Sequence, residues 1–150
     1  MNLTSHFSLA EMCRSALAAR RGISNVPDAS ARHALGLLAR HILEPIRGHF
    51  AVPFSPSSGY RSPALNRSLG SSDRSQHVRG EAADFELPGL SNFDLATWIA
   101  DHLVFDQLIL ECYRRGDPAS GWVHCSFAEN RARGEILTYA NGRYLTGLRG

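Results

Sequence analysis

The order of hydrophobic periodicities along the chain constrains its fold more than any other feature. Apolar residues recur at helical spacing in the first fifty residues, as at positions 35, 38, 42 and 46. After residue 82, apolar–polar alternation and β-prone runs dominate, interrupted by one helical segment. Helices followed by strands, without a regular strand–helix–strand alternation, are typical of an α+β fold. We therefore predict N-terminal helices packed on a mostly antiparallel sheet.

Short polar residues mark where the helices begin. Ser8 opens a capping box, which predicts a helix from Leu9 to Gly22. Asp28 caps a second helix, and Pro45 is expected to kink or end it because a proline removes a backbone donor. Two further helices are predicted at 63–70 and at 92–103, each after a capping serine.

The strand predictions rest on alternation and on turn residues. Four runs are predicted to form strands: an edge strand at 51–58, then 82–87, 105–112 and 121–127. Residues 71–80 are predicted to form a polar loop. The pair Asn141-Gly142 lies between two β-prone runs, which is a strong signal for a two-residue hairpin turn.

The length of 150 residues is that of one domain, and we assign residues 1–150 to a single one. No run approaches the roughly 18 apolar residues that span a bilayer. A net charge of +2 gives no argument for a nucleic acid partner. All 16 basic residues are arginine, which we attribute to coding bias. The 3 cysteines have no Cys-x-x-Cys spacing, which argues against a disulfide framework.

One segment contains a candidate pair of metal ligands. His77 precedes the predicted strand at 82–87, and Asp84 follows seven residues later on the outward side of the alternation. Gly80 allows the backbone to turn tightly between them. The spacing therefore places an imidazole and a carboxylate near one another.

A second histidine completes a ligand set. His124 lies in the middle of the strand predicted at 121–127, on the same side as Trp122 and Ser126. Two histidines and one carboxylate are typical of catalytic zinc, because the fourth position stays free for water. The remaining histidines lie in the opening segment or in predicted helices and are interpreted as ordinary core or surface residues: His6, His33, His41, His49 and His102.

These residues resemble a known family. The string Ser75–Asp84 is similar to the SxHxxGxAxD signature of zinc D-alanyl-D-alanine carboxypeptidases and dipeptidases. The segments Ser58–Ser62 and Trp122–His124 resemble two further motifs of that family, in the same order. The helical start resembles the phage-associated branch of small peptidoglycan peptidases. The resemblance implies a hedgehog-like α+β fold, one Zn²⁺ held by the three candidate ligands, and cleavage of peptide stems in bacterial cell walls.

The resemblance also implies roles for other residues. Arg61 matches an arginine that holds the substrate carbonyl or the oxyanion near the metal, a task that suits a permanently charged guanidinium. Ser75 is expected to orient a ligand through a hydrogen bond and to belong to the substrate-binding residues. Trp122 is expected to pack beside the substrate.

The general base is where this chain departs from the pattern. Many relatives have a glutamate three residues before the last histidine ligand, where this chain has Gly121. Glu111 ends the apolar run 105–110 and faces the metal if that run pairs with 121–127 in the right register. Burying a carboxylate without a partner or a task is costly. We therefore predict Glu111 as the base, with Asp117 in a turn as the second candidate.

Two other interpretations stay open. A wall-binding or virion-structural module without hydrolysis would account for Gly121, and it predicts that Glu111→Gln has no effect. A purely structural zinc fits poorly, because structural sites usually have four protein ligands. The bond that is cut, whether D-Ala-D-Ala, L-Ala-D-Glu or a cross-bridge, depends on the loops at 71–80 and 112–120.

The expected partner is the stem peptide of peptidoglycan, with no nucleic acid and no membrane insertion, and the expected state is a monomer. The opening residues Met1–Phe7 have neither a basic start nor a long apolar stretch, which predicts no secretory signal. The chain is then expected to be made in the cytoplasm of a bacterium or a phage-infected cell. It would act at the wall after release or as part of a virion.

Overall fold

The computed structural model describes all 150 residues. The helices are α1 (Leu9–Met12), α2 (Ala16–Arg21), α3 (Ala29–Leu38), α4 (Glu44–Phe50), α5 (Pro63–Ser68) and α6 (Asn92–His102). The strands are β1 (Ala82–Phe85), β2 (Gln107–Glu111), β3 (Trp122–Ser126), β4 (Glu135–Ala140) and β5 (Arg143–Thr146). Helices thus precede the strands, with α6 between the first two strands, and the α+β prediction is confirmed. None of the six helices has the length and apolarity that a membrane crossing requires.

The five strands form one sheet in the order β1-β3-β2-β4-β5. Three of the four neighbouring pairs are antiparallel, and β2 and β4 are parallel. The predicted mostly antiparallel sheet is therefore present. The hairpin is also confirmed, because Asn141 (φ 53°) and Gly142 (φ 75°) both adopt the positive φ of a type I′ turn between β4 and β5.

The sheet has one face in the core and one face open. Along β1, β2 and β3, alternate side chains point into a single hydrophobic core with the buried faces of the helices: Ala83, Phe85, Leu108, Leu110, Val123 and Cys125. Helix α6 packs on β2 and β3, and α3 packs on β1. The intervening side chains project from the opposite face, and these include Asp84, Glu111 and His124.

The first predicted helix is wrong in its length. It is split into α1 and α2, with Ser15 as a second N-cap. The carbonyl oxygen of Met12 accepts a hydrogen bond from the backbone N–H of Tyr60 at 2.8 Å. The carbonyl oxygen of Cys13 accepts one from the Nδ2 of Asn25 at 2.8 Å. These long-range donors replace the donors of a continuing helix, so the helix ends there.

Two other local predictions need comment. Pro45 is expected to kink or end the helix capped by Asp28. The helix does not end there, but its α-helical pattern is interrupted by a π-helical turn at Ala39–Leu43, which joins α3 to α4 and places the proline in the first turn of α4. The strand predicted at 51–58 does not form, and only an isolated bridge joins Ser58 to Asp84. Two prolines in that segment remove the donors that a ladder needs.

Candidate metal centre

The three candidate metal ligands meet on the open face of the sheet. Asp84 on β1 lies directly opposite His124 on β3, so their side chains are neighbours on one face. His77 reaches the same place from the loop that precedes β1. The ligand atoms of the three residues all lie within 4.8 Å of one another. We refer to these three residues as the metal cluster.

The backbone orients His77 within the cluster. Its Nδ1 lies 2.7 Å from the carbonyl oxygen of Gly59. A carbonyl can only accept, so Nδ1 carries a proton, and Nε2 is the ring atom that faces the cluster and would bind a metal in the neutral imidazole. The Nε2 atom is 3.4 Å from Oδ2 of Asp84.

Ser75 contacts the candidate ligand His77 through a hydrogen bond to its main chain. Its hydroxyl accepts a hydrogen bond from the backbone N–H of His77 at 3.3 Å and does not touch the imidazole. Ser75 therefore caps a turn of the loop, while the carbonyl of Gly59 orients the ring.

Gly80 is required at its position for two reasons. Its φ of +74° is in the left-handed region. A Cβ there would lie 2.4 Å from the carbonyl oxygen of Ala31, so a side chain would push the loop away from α3. The glycine thus lets the loop before β1 pack against the helix layer and bring His77 to Asp84.

The electrostatics of Asp84 favour a charged carboxylate. Burial of the group raises its pKa, but hydrogen bonds and charge interactions with His124 and His77 outweigh burial and hold the pKa well below its ordinary value. Oδ1 is 2.9 Å from Nδ1 of His124. The carboxylate therefore stays ionised, as a metal ligand must be.

The donor set fits a zinc ion. Adjacent ligands of a tetrahedral zinc at about 2.0 Å are separated by about 3.3 Å. Oδ2 of Asp84 is 3.4 Å from Nε2 of His77, Oδ1 of Asp84 is 2.9 Å from Nδ1 of His124, and one ligand atom of each residue lies within 4.8 Å of the other two. Two imidazoles and a carboxylate also leave one of four positions for water. Zinc binding would displace the proton between His124 and Asp84.

Glu111 lies on the same face as the metal cluster. In the register of β2 and β3, Glu111 is opposite Trp122, and Ile109 is opposite His124. The Nε1 of Trp122 donates a hydrogen bond to Oε2 of Glu111 at 2.5 Å. Burial and the negative charge of Asp84 raise the pKa of Glu111, although His124, Trp122 and Arg61 act in the opposite direction.

The backbone conformation and close contacts at Gly121 explain why no acidic residue is present three positions before His124. Its φ is +70°. A Cβ there would lie 2.1 Å from the carbonyl oxygen of Glu111 and 2.7 Å from the backbone of Cys112. The backbone at the start of β3 approaches the end of β2 so closely that position 121 excludes a side chain.

Arg61 lies beside the metal cluster. Its guanidinium donates to the hydroxyl of Ser58 at 3.1 Å and to the side-chain oxygen of Asn66 at 3.4 Å, and it is 3.5 Å from Oδ2 of Asp84. Its side chain is 17% exposed. The guanidinium is therefore fixed on one side and open on the other.

A cleft of about 660 Å³ contains the metal cluster together with Glu111, Arg61 and Trp122. Sequence analysis missed several residues that also line it: Arg74, Arg79, Gln107, Arg131, Arg133 and Tyr144. Gln107 alternates with Glu111 on β2, so that residue could have been found from the strand pattern. Tyr144 could not, because only the pairing of β5 with β4 and of β4 with β2 brings it there.

Asp117, the second candidate for the base, does not line this cleft. Its carboxylate accepts a hydrogen bond from Arg114 at 2.7 Å in the turn between β2 and β3.

The fold thus brings three residues that could hold a metal ion into one cleft with the carboxylate of Glu111. A family model described as Peptidase M15 matches residues 5–126. The chain belongs to this peptidase family, which is a zinc-dependent family of the D-Ala-D-Ala carboxypeptidase type. No curated protein matches the chain.

Proposed function

We propose that this chain is a zinc-dependent peptidase that hydrolyses the stem peptides of bacterial peptidoglycan, as a carboxypeptidase or an endopeptidase. The observation that carries this proposal is the position of Glu111. It shares one cleft with the metal cluster and with Arg61, which is the arrangement that hydrolysis by an activated water requires.

The metal cluster would hold the ion through Nε2 of His77, a carboxylate oxygen of Asp84 and Nδ1 of His124. Bound zinc lowers the pKa of a coordinated water to about 7 and polarises a carbonyl oxygen. The hydrogen bond from His77 to Gly59 fixes one imidazole, and the strand pairing of Asp84 with His124 fixes the other two ligands. The rigid sheet therefore provides a preformed site.

Glu111 acts as the general base and then as the general acid. Its raised pKa suits this task, because the best catalytic base has a pKa close to the working pH. Oε2 is held by Trp122, which leaves Oε1 to accept a proton from the attacking water. The same carboxyl group then donates this proton to the leaving amine.

Arg61 stabilises the negative charge that develops on the carbonyl oxygen of the substrate. Its guanidinium is held by Ser58 and Asn66 at the edge of the cleft, so little reorganisation is needed during the reaction. Trp122 has two roles in this proposal. Its indole N–H positions Glu111, and its ring lies in the cleft beside the substrate.

Chelation of the metal tests the proposal. Purified peptidoglycan is incubated with the protein as prepared, after treatment with a chelator, and after zinc is restored. We expect new amino groups to be released by the first and third samples but not by the second. Mass spectrometry of the products then distinguishes release of free D-alanine from cleavage within the stem or the cross-bridge. Hydrolysis that survives removal of all zinc would overturn the proposal.

A second candidate function is a wall-binding module that does not hydrolyse peptides, and the glycine at position 121 favours it. In that case Glu111→Gln has no effect, and wall fragments bind without being cut.

The double variant Glu111→Gln/Gly121→Glu tests whether a glutamate at position 121 can restore activity. We expect no restoration, because a side chain at that φ collides with the end of β2 and costs about 2–5 kcal/mol of stability. Thermal unfolding and peptide hydrolysis report the two effects separately. Restored activity with unchanged stability would show that the close approach at Gly121 does not decide the position of the base.

We further propose that the chain acts as a monomer, that it binds neither nucleic acid nor membrane, and that it is made in the cytoplasm of a bacterium or a phage-infected cell. It would reach the wall after release or on a virion.

A further inference from the structure

The cleft around the metal cluster has a cationic lining. Five arginines line it: Arg61, Arg74, Arg79, Arg131 and Arg133. Its hydrophobic residues are few, namely Ile109, Trp122 and Tyr144. The composition of the whole chain does not account for this arrangement, because the arginines come from three separate segments that the fold brings together.

Three of the five arginines donate a hydrogen bond to a carboxylate of the protein. Arg61 is 3.5 Å from Asp84, as described above. The Nε of Arg79 donates to Glu81 at 2.7 Å. Arg133 binds Asp106 in a bidentate manner, at 2.8 and 2.9 Å. These three guanidinium groups have their partners within the protein.

Arg74 has no such partner. Its side chain forms no ion pair, and Arg74 is an exposed residue of the cleft lining. Its backbone is fixed, because its N–H donates to the hydroxyl of Ser72 at 3.1 Å and its carbonyl oxygen accepts from Arg79 at 3.3 Å. The loop therefore holds the main chain of Arg74 while its charge stays uncompensated.

Arg131 is only weakly compensated. Its Nε lies 3.7 Å from Oδ1 of Asp106, and its side chain is 56% exposed. Asp106 is already saturated, because its two oxygens accept three hydrogen bonds from Arg133 and one from Gln76. A carboxylate with these four donors has little capacity left for another guanidinium.

Two guanidinium groups without full partners in one polar cleft favour an anionic ligand. A guanidinium binds a carboxylate through two parallel hydrogen bonds, and this interaction is stronger in a cleft than in open water. We propose that Arg74 and Arg131 form an anion subsite that binds a carboxylate of the peptide substrate beside the metal cluster. Arg131 lies outside residues 5–126, which match the family model.

This inference rests on the proposed function for its choice of a peptide carboxylate. A lysine-containing stem peptide offers two kinds, the carboxylate at its C-terminus and the free carboxylate of its D-glutamyl residue. The shared chemistry is a peptide carboxylate, and the experiment distinguishes the two sources.

Binding of synthetic peptides tests the subsite without requiring hydrolysis. The probe is L-Ala-γ-D-Glu-L-Lys-D-Ala-D-Ala, together with forms amidated at the C-terminus, at D-Glu, or at both. Calorimetry measures their dissociation constants for zinc-loaded protein carrying Glu111→Gln, in which turnover is blocked. Arg74→Gln and Arg131→Gln are added singly and together, and Arg21→Gln, on the exposed surface of α2, serves as the matched control.

We expect amidation of the bound carboxylate to weaken binding about tenfold, which corresponds to about 1.4 kcal/mol. Each arginine variant should weaken binding of the acid form five- to tenfold, by roughly 1 kcal/mol, and the double variant should bind acid and amide forms equally. Arg21→Gln should behave as the parent does. Whichever single amidation weakens binding identifies the source of the carboxylate.

Equal binding of acid and amide forms by the parent protein would overturn the subsite. The same conclusion follows if no peptide binds, or if the arginine variants keep the full preference for the acid. In the active protein, the arginine variants should raise KM and leave kcat unchanged, as expected for uniform binding. A preference for the acid form in a protein that hydrolyses no peptide would support the subsite and refute the proposed reaction.

Discussion

Two buried aspartates in this protein both interact with cationic or ionisable side chains, but they differ in whether they could also bind a metal ion. Asp84 and Asp106 both have a pKa below the ordinary value, in each case because hydrogen bonds from cationic or ionisable groups outweigh burial. The partners of Asp84 are two imidazoles and one distant guanidinium. The partners of Asp106 are Arg133 and Gln76, and its side chain is completely inaccessible to solvent.

The two aspartates differ in whether their hydrogen-bond partners could also bind a metal ion. A neutral imidazole offers a lone pair, so the partners of Asp84 can share a metal ion with it. Guanidinium and amide N–H groups can only donate, so the partners of Asp106 leave it no free lone pair to use. Of the two buried aspartates, the one that can act as a metal ligand is therefore the one whose neighbours can bind the same ion.

The two aspartates are connected through adjacent residues of one loop. Gln76 donates to Asp106 at 2.9 Å, and the next residue, His77, faces Asp84. Asp106 therefore fixes the loop that carries one metal ligand. We expect changes at Asp84 and its partners to remove function, and changes at Asp106 to reduce stability first.

Removal of a cluster imidazole should give the largest effect. In His124→Ala, Asp84 loses one partner and the metal loses one ligand, so we expect zinc content to fall from one per chain to near zero. Peptide hydrolysis should fall by roughly a thousandfold or more, beyond the roughly 10–100-fold cost of losing an outer-shell partner. Elemental analysis and amino-group release measure the two effects. His49→Ala, whose imidazole stacks on Trp98, is the control. A zinc-free His124→Ala protein that remains active would refute the assignment of the metal cluster.

Removal of the charge at Asp106 should reduce stability instead. Asp106→Asn leaves Arg133 without its charged partner, and we expect the free energy of unfolding at pH 7 to fall by about 2 kcal/mol, a value reduced because Arg133 is partly exposed. Denaturant unfolding measures this loss, with Asp101→Asn on the exposed side of α6 as the control. Zinc content should stay at one per chain. Loss of zinc without loss of stability would reverse the roles of the two aspartates.

The free energies of unfolding of the parent protein and of Asp106→Asn should depend differently on pH. The folded-state pKa of Asp106 is below its unfolded value of about 3.9, so its contribution is fully present above that pH and is lost as the pH falls toward the folded-state pKa. The difference between the parent protein and Asp106→Asn should therefore be constant near neutral pH and shrink below about pH 4. A difference that does not change with pH would show that the charge of Asp106 contributes nothing.

A smaller effect should come from the half-buried carboxylate of Glu111, which has a single indole hydrogen-bond partner. Trp122→Phe removes the N–H donor and keeps an aromatic ring, so we expect kcat to fall about tenfold with zinc content unchanged. The hydrogen bond lowers the pKa of Glu111. Its loss should therefore move the acid limb of the kcat/KM profile to higher pH. Trp98→Phe is the matched control, since the Nε1 of Trp98 has no hydrogen-bond partner. An unchanged pH profile of kcat/KM in Trp122→Phe would mean that Trp122 contributes only packing.

Sequence patterns predicted the features of this molecule that depend on residues close together in the chain. The strand alternation and the signature at 75–84 placed Asp84 and His124 on one face, and the register that brings Glu111 opposite Trp122 is as expected. These features follow from the two-residue alternation of side chains in a strand and from antiparallel pairing of two strands.

The parts that sequence analysis missed depend on contacts between distant residues. The division of α1 from α2 is set by Tyr60 and Asn25, whose partners lie 48 and 12 residues away. The pair formed by Asp106 and Arg133 spans 27 residues. The parallel pairing of β2 with β4, which brings Tyr144 into the cleft, is not encoded in the alternation of either strand.

The most direct test of the account compares Glu111→Gln with Glu129→Gln, the same substitution at an exposed glutamate outside the cleft. Zinc content and the initial rate of amino-group release from peptidoglycan are measured for both variants and the parent protein. We expect one zinc per chain in all three. The rate should fall about 10²–10⁴-fold in Glu111→Gln alone, which is the usual contribution of general acid–base catalysis. Equal rates in the two variants, with zinc retained, would contradict the assignment of Glu111 as the base that works beside the metal cluster.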